Sequence, residues 1–124
     1  IENSIKTPFD FTKKKEIGEE INSNNKQLKI GNGYDHCFVL DKEMPAAAEI
    51  SDDLSGRKLI ISTDRPGIQF YSGNHLSGSF SKNQGLCLET QNFPDSPNNL
   101  NFPTTILKAN EKYYSKTTYN FSII

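Results

Sequence analysis

The sequence predicts an all-β fold, most economically an antiparallel sandwich, on three observations. Short apolar or aromatic runs at 36–40, 46–50, 57–62, 67–72, 85–89, 104–107 and 113–123 are separated by clusters of Gly, Pro, Asn, Asp and Ser. Residues 46–62 read as a hairpin, with Asp52-Asp53-Leu54-Ser55-Gly56 as turn chemistry between two apolar runs. The last run alternates in part through Thr117, Tyr119 and Phe121, the pattern of a half-buried antiparallel strand.

The elements follow in chain order. The chain opens on Ile1 rather than Met, which reads as removal of something upstream or as a piece of a longer chain. Residues 12–27 carry Lys13-Lys14-Lys15, Glu19-Glu20 and an Asn/Ser run, with isoleucines only at 17 and 21; the spacing permits one helical turn, and a polar connection is the working expectation. From residue 34 onward the signals are for strands. No internal repeat, heptad or Gly-rich phosphate loop is present.

The bulk properties narrow the function classes. A chain of 124 residues has the length of one domain with a single modest core. With 23% charged residues and a net charge of -1, nothing calls for nucleic acid or an anionic membrane as partner. No run of 18 apolar residues occurs, and residues 1–17 are too polar and Lys-rich for a signal peptide, so neither membrane spanning nor export is expected. Cys37 and Cys87 each sit in an apolar stretch and read as buried free thiols, which fits a reducing, cytoplasmic setting.

Polar residues of catalytic type gather in three places. In Gly31-Asn32-Gly33-Tyr34-Asp35-His36-Cys37-Phe38 a flexible turn delivers an acid, an imidazole and an aromatic into the start of a strand. Composition alone favours Asp35 as a turn cap and His36 as an exposed side chain. In Arg65-Pro66-Gly67-Ile68-Gln69-Phe70-Tyr71, alternation puts Gln69 and Tyr71 on one face and Ile68 and Phe70 on the other. In Leu86-Cys87-Leu88-Glu89-Thr90-Gln91-Asn92-Phe93-Pro94-Asp95, Glu89 ends an apolar run, where partial desolvation would suit a general base, and Pro94 and Pro97 stiffen the loop that follows.

Other chemistries find less support. His36 and His75 have no metal-ligand spacing with each other or with either Cys, so no metal site is expected. A His36/Cys37 nucleophile pair fails because adjacent strand residues point to opposite faces. Asp35 and Glu89 as a glycosidase pair would depend on their separation in space.

The strings Gly33-Tyr34-Asp35-His36-Cys37-Phe38, Pro66-Gly67-Ile68-Gln69-Phe70-Tyr71-Ser72-Gly73-Asn74 and Cys87-Leu88-Glu89-Thr90-Gln91-Asn92-Phe93-Pro94-Asp95 resemble, in that order, three signature segments of the aldose 1-epimerase (galactose mutarotase) family. Thr7-Pro8-Phe9-Asp10-Phe11 and Thr117-Thr118-Tyr119 resemble flanking segments of the same enzymes. Ala109-Asn110-Glu111 departs from a Pro-Gly-Glu turn common in the family, at a position without a catalytic role.

The resemblance implies that residues 1–124 are the C-terminal portion of a single aldose 1-epimerase domain, contributing strands to a large antiparallel β-sandwich, the galactose mutarotase-like supersandwich, and leaving unpaired edges. It implies interconversion of the α and β anomers of hexoses such as galactose and glucose, without a cofactor. A carboxylate takes the proton of the anomeric hydroxyl while a histidine protonates the ring oxygen; the ring opens, C1–C2 rotates and the ring recloses. By resemblance Glu89 is the base, and Asp35 and Gln69 hydrogen-bond sugar hydroxyls. His36 is read as structural, and no role is carried to His75. The family's acid histidine, second site histidine and substrate-binding arginine lie in a region that would precede Ile1, so a missing N-terminal part is the implied partner. Two alternatives accompany this reading. One is a non-catalytic sugar-binding or regulatory module that keeps Asp35 and Gln69; the other is epimerisation of a phosphorylated hexose, for which Arg65 and the Lys13–Lys15 run are the visible candidates.

Overall fold

A computed structural model describes all residues, Ile1–Ile124. Six strands dominate it: β1 (Asp35–Val39), β2 (Ala48–Asp52), β3 (Arg57–Thr63), β4 (Gly67–Tyr71), β5 (Cys87–Gln91) and β6 (Thr117–Ile123). They form two antiparallel three-stranded sheets, in the orders β1-β4-β5 and β2-β3-β6. One α-helix, α1 (Lys26–Gly31), and one 3₁₀ turn, Ser96–Asn98, complete the regular structure. The all-β expectation holds.

The hairpin stands where the sequence puts it, with Ala48↔Ile61 and Asp52↔Arg57 as its end pairs. Its turn forms because the Asp52 carboxylate accepts from the backbone N–H groups of Leu54 and Ser55 and from the Ser55 hydroxyl, and Gly56 takes the left-handed conformation that closes the loop. Strand β6 begins at Thr117 rather than at 113. Residues 113–116 are instead held by side chains: Arg65 donates to the Tyr114 carbonyl and Asp64 accepts from the Lys116 N–H. No strand forms at 104–107, an exposed stretch that follows Pro103.

The helix is at 26–31, beyond the Ile17/Ile21 spacing, which lies in turns. Its signals are local: the Asn25 side chain caps the first turn by accepting from the N–H groups of Gln27 and Leu28, and Asn32 ends the helix in the left-handed conformation.

The chain divides into two compact units, Ile1–His36 with Phe70–Cys87, and Cys37–Gln69 with Leu88–Ile124. The first has an aromatic core. Tyr34 is fully buried, stacks on Phe70 at 5.2 Å and meets Phe9 and Phe11 edge-on, and its hydroxyl donates to the Pro8 carbonyl. Burial, followed by the charges of Glu20 and Glu19, pushes the Tyr34 phenol up to about 12.

The second unit packs around Ile61 and Ile68. In the β2-β3-β6 sheet the register aligns Ala48, Ile61 and Tyr119 in one row and Ile50, Leu59 and Phe121 in the next, so one face is apolar. Ile61 is fully buried, whereas Phe121 is 76% and Ile123 83% exposed. The expected half-burial of β6 is thus met only at Thr117, because nothing within the chain covers the far end of that face.

Candidate active site

Three strands present the residues singled out above. Asp35 opens β1 and is exposed. Its position in the first unit follows from a buried network just behind it. The Asn74 amide, 3% exposed, donates to the carbonyls of Gly31 and Tyr34 at 2.8 and 2.9 Å and accepts from the Ser72 hydroxyl at 2.5 Å. Ser72 in turn accepts from the Tyr34 N–H and gives its own N–H to the Tyr34 carbonyl. Gly33, at φ +138°, passes so close that a Cβ there would lie 2.3 Å from the Asn74 side-chain oxygen. The Ser72-Gly73-Asn74 string therefore holds the turn from which Asp35 emerges.

His36 is half-buried rather than exposed. Phe9 stands 4.6 Å from its ring, and Nδ1 accepts from the Asp35 N–H. Burial lowers its pKa, against the opposing pull of the Asp35 carboxylate. With Nδ1 accepting a backbone N–H and the ring against Phe9, His36 has a structural place.

Gln69 and Glu89 both belong to the second unit, on the neighbouring strands β4 and β5. Ile68 and Phe70 are buried and Gln69 and Tyr71 are not, which is the alternation the sequence predicts. Gly67, Gln69 and Tyr71 share one face of β4, and Glu89 and Gln91 share one face of β5. Two contacts show that these faces coincide. The Gln91 amide donates to Cys37 Sγ at 3.8 Å, and a Cβ on Gly67 would meet that sulfur at 2.9 Å and the Phe93 ring at 3.1 Å. The glycine keeps β4 low enough for Cys37, Gln91 and Phe93 to close over it, so Gln69 and Glu89 project from one surface.

Two expectations change here. Glu89 is the middle residue of β5 rather than its end, and it is exposed rather than desolvated, because it alternates with Leu88 and Thr90, which turn inward. The thiols are not both buried: Cys87 is exposed and Cys37 half-buried, each free, because both lie on outward strand faces. Burial pushes the Cys37 thiol up. Two cavities, of about 490 and 240 Å³, are lined by neither Asp35, Gln69 nor Glu89, and Glu89 itself is exposed on its strand face.

Two of the basic candidates, Arg65 and Lys15, are engaged elsewhere. Arg65 pairs with Asp64 at 2.8 Å, lies over the Tyr113 ring and donates to the Tyr114 carbonyl. Lys15 pairs with Glu20 at 2.6 Å, donates to the Pro8 carbonyl and lies over Phe11. No group of three or more His, Cys, Asp or Glu side chains is arranged to hold a metal, and no helix is long and apolar enough to cross a membrane. What sequence reasoning missed is that the hydroxyls of Thr117 and Tyr119 meet β5 at Thr90 and at the Leu88 carbonyl, on either side of Glu89; contact between distant strands left no local signal.

Within the second unit the chain thus carries an exposed carboxylate, Glu89, and an amide, Gln69, on one sheet face. The chain belongs to the aldose 1-epimerase family, whose profile it matches over residues 1–120. It is 39% identical to galactose mutarotase of Mus musculus over 127 residues, covering 94% of this chain and 36% of the relative. Aldose 1-epimerase of Escherichia coli strain K12 is 37% identical, with 93% and 36% covered. Among solved structures, galactose 1-epimerase from Lactobacillus acidophilus NCFM is similar with a TM-score of 0.64 and 32% identity, over 73% of this chain and 29% of that one. The chain spans about a third of the length of the relatives it matches.

Proposed function

We propose that this chain supplies the base half of an aldose 1-epimerase site acting on hexoses such as galactose and glucose, and that residues 1–124 form the C-terminal portion of one such domain, with 12–27 a polar connection. The observation that carries the reading is Glu89 and Gln69 on a single open face of a family member. Glu89 takes the proton of the anomeric hydroxyl, and Gln69 and Asp35 hold ring hydroxyls by hydrogen bonds. An acid from the remainder of the domain protonates the ring oxygen as the bond from C1 to that oxygen breaks; rotation about C1–C2 and reclosure give the other anomer. The proton moves from hydroxyl to ring oxygen with no change of oxidation state, so general acid–base catalysis suffices.

Two features of the molecule support a larger domain around it. The apolar face of β2-β3-β6 stays open at Phe121 and Ile123, and β2 and β6 leave their outer edges unpaired. The free thiols of Cys37 and Cys87 suit a cytoplasmic home.

Polarimetry of freshly dissolved α-galactose and α-glucose tests the proposal on the whole protein that carries this chain. A catalysed approach to the anomeric equilibrium is expected. Sugar binding by calorimetry with no acceleration would replace it with the non-catalytic module.

A further inference from the structure

We propose that Thr117 and Tyr119 are positioning residues that hold strand β5 so that the Glu89 carboxylate is aimed; this rests on Glu89 being the base. Glu89 is exposed, so burial of its own side chain does not orient it. The β5 backbone sets the position and direction of its Cα–Cβ bond. That strand ends the order β1-β4-β5 and has a ladder partner, β4, on one side only.

Strand β6 supplies a further restraint at two points that bracket Glu89. The Thr117 and Thr90 hydroxyls lie 2.6 Å apart, and the Tyr119 hydroxyl donates to the Leu88 carbonyl at 3.3 Å. One bond grips the residue after Glu89 and the other the residue before it. Thr90 points away from the face on which Glu89 projects, so the contact leaves the carboxylate clear.

The bracket is itself anchored. Thr117 pairs in register with Thr63 on β3, and their hydroxyls are 3.0 Å apart. Thr63 Oγ1 accepts the Arg65 N–H at 3.2 Å, and the preceding Lys116 N–H is taken by Asp64 at 3.1 Å. Three half-buried threonines thus run in a hydroxyl row from β3 through β6 to β5. The row ties the Glu89 strand to the β2-β3-β6 sheet. Catalytic groups displaced by about 1 Å can lose as much as ~10²-fold in rate, so such a restraint matters most to kcat.

Steady-state mutarotation by the whole protein tests this, with Thr117→Val, Thr117→Ser and Tyr119→Phe each made alone and in a Glu89→Gln background. Thr117→Val should lower kcat about tenfold with KM changed by less than about twofold, Thr117→Ser should restore the rate, and Tyr119→Phe should cost about threefold. In the Glu89→Gln background Thr117→Val should cost nothing further, because the residue acts through the carboxylate. Full kcat in Thr117→Val, or an equal loss with and without Glu89, overturns the positioning role while the base assignment stands. Full activity in Glu89→Gln overturns the base assignment and the positioning role together.

Discussion

The two units of this chain solve the same problem differently. In the first, Tyr34, Phe70, Phe9 and Phe11 pack on one another and a buried asparagine satisfies two carbonyls, so the apolar and polar demands are met from within. In the second, a well-paired sheet buries Ile61 completely yet leaves Phe121 and Ile123 in water. Strand pairing and core burial are separate achievements: β6 pairs along seven residues of β3 while six of its own seven stay exposed. The first unit ends in an acid held by a rigid turn; the second carries a carboxylate held by strands.

Substitutions can break this comparison. The largest effect is expected at Phe70: Phe70→Ala should cost about 3–5 kcal/mol in urea unfolding by opening the aromatic core, whereas Phe121→Ala should change stability by less than about 0.5 kcal/mol. Equal losses at the two sites would mean that the far end of the β6 face is covered after all. Next comes Asn74→Ala, which leaves the Gly31 carbonyl without its side-chain donor and takes one of several donors from the Tyr34 carbonyl, and should cost about 1–3 kcal/mol by the same measurement.

In the second unit the expected sensitive point is steric. Gly67→Ala puts a methyl 2.9 Å from Cys37 Sγ and should cost about 1–3 kcal/mol. A thiol-reactive probe should then modify Cys37 faster, as the sulfur is pushed off its Gln91 contact. The smallest effect concerns acid. Burial depresses the pKa of His36 in the folded chain below 6.5, so the unfolded chain binds the proton more readily. His36 therefore favours folding above pH about 6.5, and that contribution is lost as pH falls from there through the folded value. The urea midpoint should drop between pH 7.5 and 5.5, and His36→Gln should flatten the drop.

The strands of this fold were readable where local chemistry decides. Asp52 to Gly56 fixes the hairpin, and the alternation of Ile68, Gln69, Phe70 and Tyr71 fixes which side of β4 is buried. Reading failed where the partner is distant or outside the chain. An apolar run at Thr104 to Leu107 finds no strand to pair with, and the alternation of β6 predicts a buried face that lacks its cover. For the site, the residue types at 35, 69 and 89 were visible, but their environments were not. Exposure of Glu89 follows from its place in the middle of β5, and the grip of Thr117 and Tyr119 on that strand depends on contacts 27 and 31 residues away along the chain.

The central claim is that Glu89 is the base. Polarimetry of freshly dissolved α-galactose with the whole protein carrying Glu89→Gln tests it most directly, since the amide keeps the shape and loses the basicity. The account predicts a fall in kcat of about 10²-fold or more with the urea midpoint unchanged; a rate equal to that of the unsubstituted protein would contradict it.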